Sequence, residues 1–399
     1  MQALLLLKQT LEAGYDPGAL LLNGSNVKFT SAEQLLTTMA PAQAVSGFSV
    51  GVGRERETAR TVYFKRHTGR GFDIEKILMA DPSGISELRP EASGQALISC
   101  LSPELREFTT DVTTGLVRNR QLDWEVARNR CFLELQLKMQ GKRLATFGDI
   151  SEISGALDVG KAIREVIHLP GLRGNPERSY PVTAVGGSFP ATFENYAANI
   201  IAHWQAEKNE DKLEQLGRNL EKLGLTWRVA AQPINDTQVE LRLGRLPHRP
   251  SEDTVDMVNI ADVGFGASQS LPVLVALLTA AAGQLVYLEQ PELHLHPRAQ
   301  SALAEMLADA AKRGVRIVAE THSDLLILAV QALVAEGALA PDLVKLHWFR
   351  RNGDGVTEVI SANLDENGAY GDWPEDFADV RLRSEDRYLD AVQSRLRAG

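Results

Sequence analysis

The stretch LVYLEQPELHLHPRAQ, residues 285–300, sets the strongest limit on how this chain can fold. An unbroken apolar run, Leu285–Leu288, leads directly into Glu289. Such a run reads as a strand covered on both faces, the kind found in parallel sheets. A second run, VRIVAE, stands at 315–320. Helical patterns follow both, PRAQSALAEMLADAAKRG after the first and SDLLILAVQALVAEG after the second. Upstream, TVDMVNIADVGFGASQSLPVLVALLTAAAG (254–283) reads as a strand and a glycine-rich loop opening into a helix. Downstream, LVKLHWFRRNGDGVTEVISANLD (343–365) reads as a hairpin. Strand, helix, strand, helix with continuous apolar strands predicts an α/β fold on a mixed or parallel sheet flanked by helices. Ligand sites on such sheets lie at the carboxyl ends of the strands, where Glu289, Glu320, Thr321, His322 and Ser323 fall.

The rest of the chain is less uniform. Residues 1–13 read as a helix stopped by Gly14 and Pro17. Residues 19–95 read as short strands and turns, with a hairpin signal at Asn23–Gly24 and strands at TVYFKR (61–66) and FDIEKILMA (72–80). Residues 97–168 are predicted to be mostly helical, because WEVARNRCFLELQLKMQ (124–140) carries apolar residues at helical spacing. TFENYAANIIAHWQ (192–205) and DKLEQLGRNLEKLG (211–224) read as helices, and TWRVAAQPINDTQVELRL (226–243) as a strand pair.

Composition narrows the functional classes. With 399 residues, 44% hydrophobic and 24% charged, the chain can bury the cores of two or three lobes. A net charge of −10 argues against a whole-molecule electrostatic grip on nucleic acid. The two cysteines, Cys100 and Cys131, form neither a disulfide framework nor a zinc pattern, which fits a reducing cytoplasm. The most apolar window, Leu271–Leu288, is broken at Gly283–Gln284, so no membrane segment is predicted. MQALLLLKQTL at the start lacks a basic n-region and a cleavage site, and reads as a buried helix.

Several residues invite chemistry, each with a plainer alternative. Glu289 closes a buried strand and would meet a hydrated Mg²⁺, or simply emerge into solvent. Gly264 and Gly266 allow close backbone approach. Ser268, placed at the helix start with Pro272 in the first turn, completes an anion site or an ordinary N-cap. His322 polarises a phosphate or orients a water, or is a structural histidine. His294 and His296 sit on alternate positions that could chelate a metal, with no third soft ligand evident.

Taken together, in this order and spacing, these elements resemble the ABC-class P-loop ATPases, specifically the bacterial OLD-like AAA group. In that resemblance GFGASQ (264–269) is the signature loop and LVYLEQPE (285–292) the Walker B strand with its acidic end. LHLHP (293–297) is the D-loop, and His322 of ETHSD is the switch histidine. The tail GDWPEDF (371–377) and the loop GLRGNPERSY (171–180) resemble a branch with a short uncharacterised C-terminal domain.

The resemblance implies a P-loop NTPase of ABC type. Its lobes would be an N-terminal part at 1–96, a mostly helical insertion at 97–230, a C-terminal ATPase lobe at 231–350 and a tail domain at 351–399. It implies a head-to-tail homodimer that sandwiches two ATP molecules. Gly264, Gly266, Ser268 and Gln269 would hold a γ-phosphate in trans, and Glu289 would hold Mg²⁺. Gln290 stands where many members carry a general-base glutamate. An amide cannot accept the water's proton, so Gln290 would position the water, and either Glu292 or another acid would be the base or hydrolysis would be slow and the dimer long-lived. The resemblance also implies roles in bacterial defence or nucleic-acid transactions, with an effector nuclease or other protein as partner. Arg164, Arg173 and Arg178 would offer contacts to nucleic-acid phosphates or form a solvated loop surface.

An ATPase of this class needs a phosphate loop, G-x-x-x-x-G-K-[ST], between its first strand and first helix. This sequence has no complete copy. GALDVGKA (155–162) has the glycines and Lys161, but Ala162 lacks the hydroxyl and the preceding TFGDISEIS is polar, so it reads as a chance match. MQALLLLKQTLEAG resembles the helix that follows the loop in this group. The expectation is therefore a first strand and phosphate loop lost by truncation or by a misassigned start. The alternatives are a non-hydrolysing partner protein and a metal-dependent hydrolase built on His294, His296 and Glu292.

Overall fold

In the computed structural model the described residues are 1–36, 38–39, 43–54, 58–67, 69, 71–116, 122–139, 141–147, 158–245, 256–371, 383 and 386–395. The chain divides into two compact units: Met1–His168 with Gly186–Phe193, and Leu169–Val185 with Glu194–Gly399.

In the first unit, the expected N-terminal helix is Gln2–Glu12, and it buries Leu5, Leu6, Leu7 and Leu11. Lys8 is 0% exposed on the same helix. Its Nζ donates to Glu12 and, at 3.0 Å, to the carbonyl oxygens of Arg164 and Phe189. Burial pushes Lys8 below the ordinary lysine value, and the Glu12 carboxylate opposes that shift. The turn at Gly24 closes an antiparallel bridge between Asn23 and Lys28. Strands Gly47–Arg54, Thr58–His67, Gly71–Asp81 and Gly84–Leu88 form an antiparallel meander that contains both strands expected at 61–80.

The helix expected over 124–140 is instead part of a second antiparallel sheet, formed by Leu122–Asn129, Phe132–Met139 and Lys142–Phe147. Helices do occur nearby, at Gly94–Ser99 and Pro103–Leu116. The apolar residues of 124–140 satisfy both periods, but Trp124 and Val126, then Leu133, Leu135 and Leu137, are buried at alternate positions. Arg130, with φ of 55°, makes the reversal between the strands.

The second unit carries the expected helices at Ala197–Ala206 and Glu210–Lys222 and the strand pair Val229–Asn235 with Gln238–Gly244. Gly217 sits where the second helix crosses the chain entering that pair. A Cβ built there would lie 2.4 Å from the Trp227 carbonyl oxygen. Because a backbone atom cannot swing aside, Gly217→Ala is expected to cost about 1–3 kcal/mol despite its better helix propensity, read as a lower urea midpoint.

Further along, helix Phe265–Thr279 leads to strand Leu285–Glu289, here called the acidic strand. Helix Pro297–Lys312, strand Arg316–Glu320 and helix Asp324–Ala335 follow. The two strands are parallel and in register from Leu285 opposite Arg316 to Glu289 opposite Glu320. Val286, Tyr287 and Leu288 are buried, as a strand covered on both faces requires. Gly314, with φ of 85°, ends the helix before the second strand. Ribbon Lys345–Arg351 with Thr357–Asn363 is the expected hairpin. Gly371 begins the tail GDWPEDF, and residues 372–377 lie outside the described residues, as do 155–157 of GALDVGKA.

Candidate functional site

Parallel register brings two carboxylates side by side where the strands end, Glu289 opposite Glu320. Like charges at such spacing repel unless something cationic or hydrogen-bonding meets them. Three groups do. The backbone N–H of Gly171 donates to Glu289 Oε2 at 3.1 Å. The Tyr287 hydroxyl hydrogen-bonds with both Glu320 and Glu289, and burial together with those two acids pushes its pKa up. The third group is Arg173, 8% exposed. Its Nη1 donates to the Gln269 carbonyl at 3.1 Å, and its Nη2 to the carbonyls of Glu289 at 3.1 Å and Gln290 at 3.3 Å. Burial lowers Arg173 to about 10, held up by the charges of Glu194, Glu292 and Glu289, so it is cationic at neutral pH.

Arg173 is therefore not available to nucleic-acid phosphates, which corrects the sequence expectation. Arg178 of the same loop pairs with Asp262 at 2.6 Å. The signal for Arg173 was thin: one arginine between two glycines, just after the apolar segment IHLPG.

The turn after the acidic strand is bent sharply. Gln290 has φ of 44° and its N–H donates to the Glu320 carbonyl at 2.8 Å, while His294 has φ of 68°. Left-handed backbone costs a non-glycine residue about 1–2 kcal/mol. Pro291 and Glu292 are buried between them. Glu292 Oε1 accepts from Thr321 Oγ1 at 2.7 Å and from the His322 N–H at 3.1 Å. Glu289, Gln290, Glu292 and His322, the four expected catalytic residues, are thus gathered at one carboxyl edge of the sheet, with His322 exposed and Glu289 half-buried.

The signature residues approach this edge from the side. Gln269 donates its side-chain amide to the Gly174 carbonyl at 2.8 Å and receives Arg173 on its own carbonyl. The Phe265 ring lies 5.9 Å from the His294 ring, and a Cβ on Gly266 would lie 3.7 Å from the His294 carbonyl oxygen. Gly264 is the N-cap of helix Phe265–Thr279 and, having no side chain, caps none of its first-turn amides. Ser268 differs from expectation. It lies inside the helix, buried, with its hydroxyl on the Phe265 carbonyl at 3.1 Å. Pro272 likewise stands inside the helix and not in its first turn. A glycine cap stands four residues before the serine that reads as the helix start, so backbone N–H groups, and not the Ser268 hydroxyl, face outward here.

His296 Nδ1 accepts the Arg298 N–H at 3.3 Å and so caps helix Pro297–Lys312. Among the described residues no group of three or more His, Cys, Asp or Glu is arranged to hold a metal ion. Mg²⁺ needs only one or two carboxylates and takes its other oxygens from phosphate and water, so the sparse acidic pair Glu289 and Glu320 fits it. No helix among the described residues is long and apolar enough to cross a membrane.

Residues 158–329 match the family model described as "AAA domain, putative AbiEii toxin, Type IV TA system". No curated protein matches the chain. Among solved structures, an Smc head bound to the C-terminal winged-helix domain of ScpA is 12% identical, covering 91% of this chain and 85% of that one, with a TM-score of 0.40. The Pyrococcus furiosus Smc head bound to the ScpA C-terminal domain is 10% identical, covering 89% and 82%, with a TM-score of 0.30. The Thermotoga maritima SMC head domain is 9% identical, covering 77% of each chain, with a TM-score of 0.29. The family match spans the acidic strand, the signature helix and the His322 loop, and the segment 158–329, less than half of the chain, is similar to that AAA domain.

Proposed function

We propose that the protein is a nucleotide-driven switch whose copies close head to tail over ATP and open on hydrolysis. The observation that carries this reading is the in-register pair Glu289 and Glu320 at the carboxyl edge, with His322 two residues beyond Glu320. Glu289 would hold Mg²⁺, which when bound neutralises phosphate charge. Gln290, in a left-handed turn at the same edge, orients the attacking water, and His322 faces the γ-phosphate. The uncapped amides at Phe265 and Gly266 bind the γ-phosphate of the other copy. The family's description as a putative toxin of a type IV system supports a defence role with an effector partner, a nuclease or other protein.

The test is the mass of the full-length protein by light scattering, with Mg²⁺–ATP, with ATP and EDTA, and without nucleotide. A doubling with Mg²⁺–ATP alone is expected. An unchanged mass together with undetectable nucleotide binding removes the proposal. Gln290 in place of an acid favours a second reading, a closed partner that does not turn over. ATP-dependent doubling with no phosphate release would select it.

A further inference from the structure

We infer that Glu292 is a positioning residue, which holds the loop carrying His322 in place, and is not the base that takes the water's proton. The inference rests on the ATPase reading above. Glu292 is 8% exposed. Its Oε1 is committed to Thr321 Oγ1 at 2.7 Å and to the His322 N–H at 3.1 Å. Its Oε2 is buried and makes no hydrogen bond among the described residues. A general base must reach its water at about 2.6–3.2 Å, and here one oxygen is occupied and the other is enclosed.

The bonds continue past His322. Thr321 Oγ1, which donates to Glu292, accepts the Ser323 N–H at 3.0 Å. Ser323 Oγ accepts the Leu326 N–H at 3.0 Å, capping the next helix, and donates to Gln300 Oε1 at 2.7 Å. Gln300 Nε2 donates to the Leu295 carbonyl at 3.0 Å. Leu295 belongs to the same turn as Glu292, so the circuit closes: 292, 321, 323, 300, 295. It ties the His322 loop to the turn whose His294 lies against Phe265 of the signature helix. A carboxylate suits this place because one charged oxygen can accept two strong hydrogen bonds at once. Keeping it buried with its second oxygen unpaired costs stability, and the cost is offset only if the held loop matters.

The test compares Glu292→Gln, Glu292→Ala and Thr321→Val with the full-length protein. Hydrogen exchange is read at 321–323 without nucleotide, together with kcat and KM for ATP. A glutamine carbonyl still accepts both bonds, so Glu292→Gln is expected to keep exchange and kcat within about threefold. Glu292→Ala and Thr321→Val are expected to speed exchange and lower kcat by about tenfold or more, with KM changed by less than about twofold. Glu292→Gln as inactive as Glu292→Ala, with normal exchange, makes Glu292 the base and overturns the inference alone. Normal kcat in Glu292→Ala also overturns it. A wild-type protein that doubles with Mg²⁺–ATP and releases no phosphate selects the non-hydrolysing reading, and this role falls with the hydrolysing one.

Discussion

Arg173→Ala is expected to destabilise the protein by about 3–5 kcal/mol, the range for removing one member of a buried, hydrogen-bonded charge cluster. The carbonyl oxygens of Gln269, Glu289 and Gln290 lose the Arg173 bonds at once, and of these Gln290 keeps the Leu293 N–H at 3.0 Å. A buried carbonyl without a partner costs about 1–3 kcal/mol. The charges of Glu194, Glu292 and Glu289 lose the cation among them. Arg173→Met separates the two contributions: it keeps most of the packing and drops the charge and donors, so it should recover little. Arg173→Lys should recover little as well, because a single ammonium cannot span three carbonyls that a planar fork reaches. Urea unfolding of all three variants is the measurement. A loss below about 1 kcal/mol in Arg173→Ala would show that the carbonyls find other partners, and would set aside Arg173 as the centre of this edge.

The sheet and its acids were legible in the sequence for a physical reason. Leu285–Leu288 is a short apolar run without a break, which between the Gly283 turn and Pro291 suits a strand covered on both faces, and the parallel register sets Glu289 beside Glu320. Arg173 was not legible as part of that edge. Its partners are backbone carbonyls 96 to 117 residues away, and a carbonyl has no letter in the sequence. The segment 124–140 failed differently. VARNRCFLELQLKM carries apolar residues that suit a helix and a strand, and only pairing across the Arg130 turn chooses between them. Ser268 failed because glycine also caps helices, and Gly264 does so without a side chain to announce it. The Glu292 circuit was half visible. Its residues were in the quoted motifs, but the hydroxyls of Thr321 and Ser323 read as polar loop until the second strand placed them beside Glu292.

Glu289→Gln should separate activity from stability by moving them in opposite directions. The amide oxygen can still accept the Gly171 N–H, so that contact at 3.1 Å survives. The like-charge pair with Glu320 is gone, worth about 0.2–1 kcal/mol in favour of the folded state, and the lost attraction between Glu289 and Arg173 offsets part of that gain. Unfolding at higher urea, or no change, is therefore expected. Turnover moves the other way. A neutral amide binds a hard cation far more weakly than a carboxylate, and losing several kcal/mol of charge stabilisation in the transition state slows phosphate release by about a hundredfold or more. Raising the Mg²⁺ concentration should restore part of the rate if the defect is in holding the ion, and none of it if the fold has changed. Phosphate release and urea midpoints on the same preparations decide the matter. A variant that hydrolyses ATP like the parent would strip Glu289 of its role at the phosphate. A variant that loses stability along with activity would mean that the Glu289 carboxylate holds the strand end together, as a structural acid would.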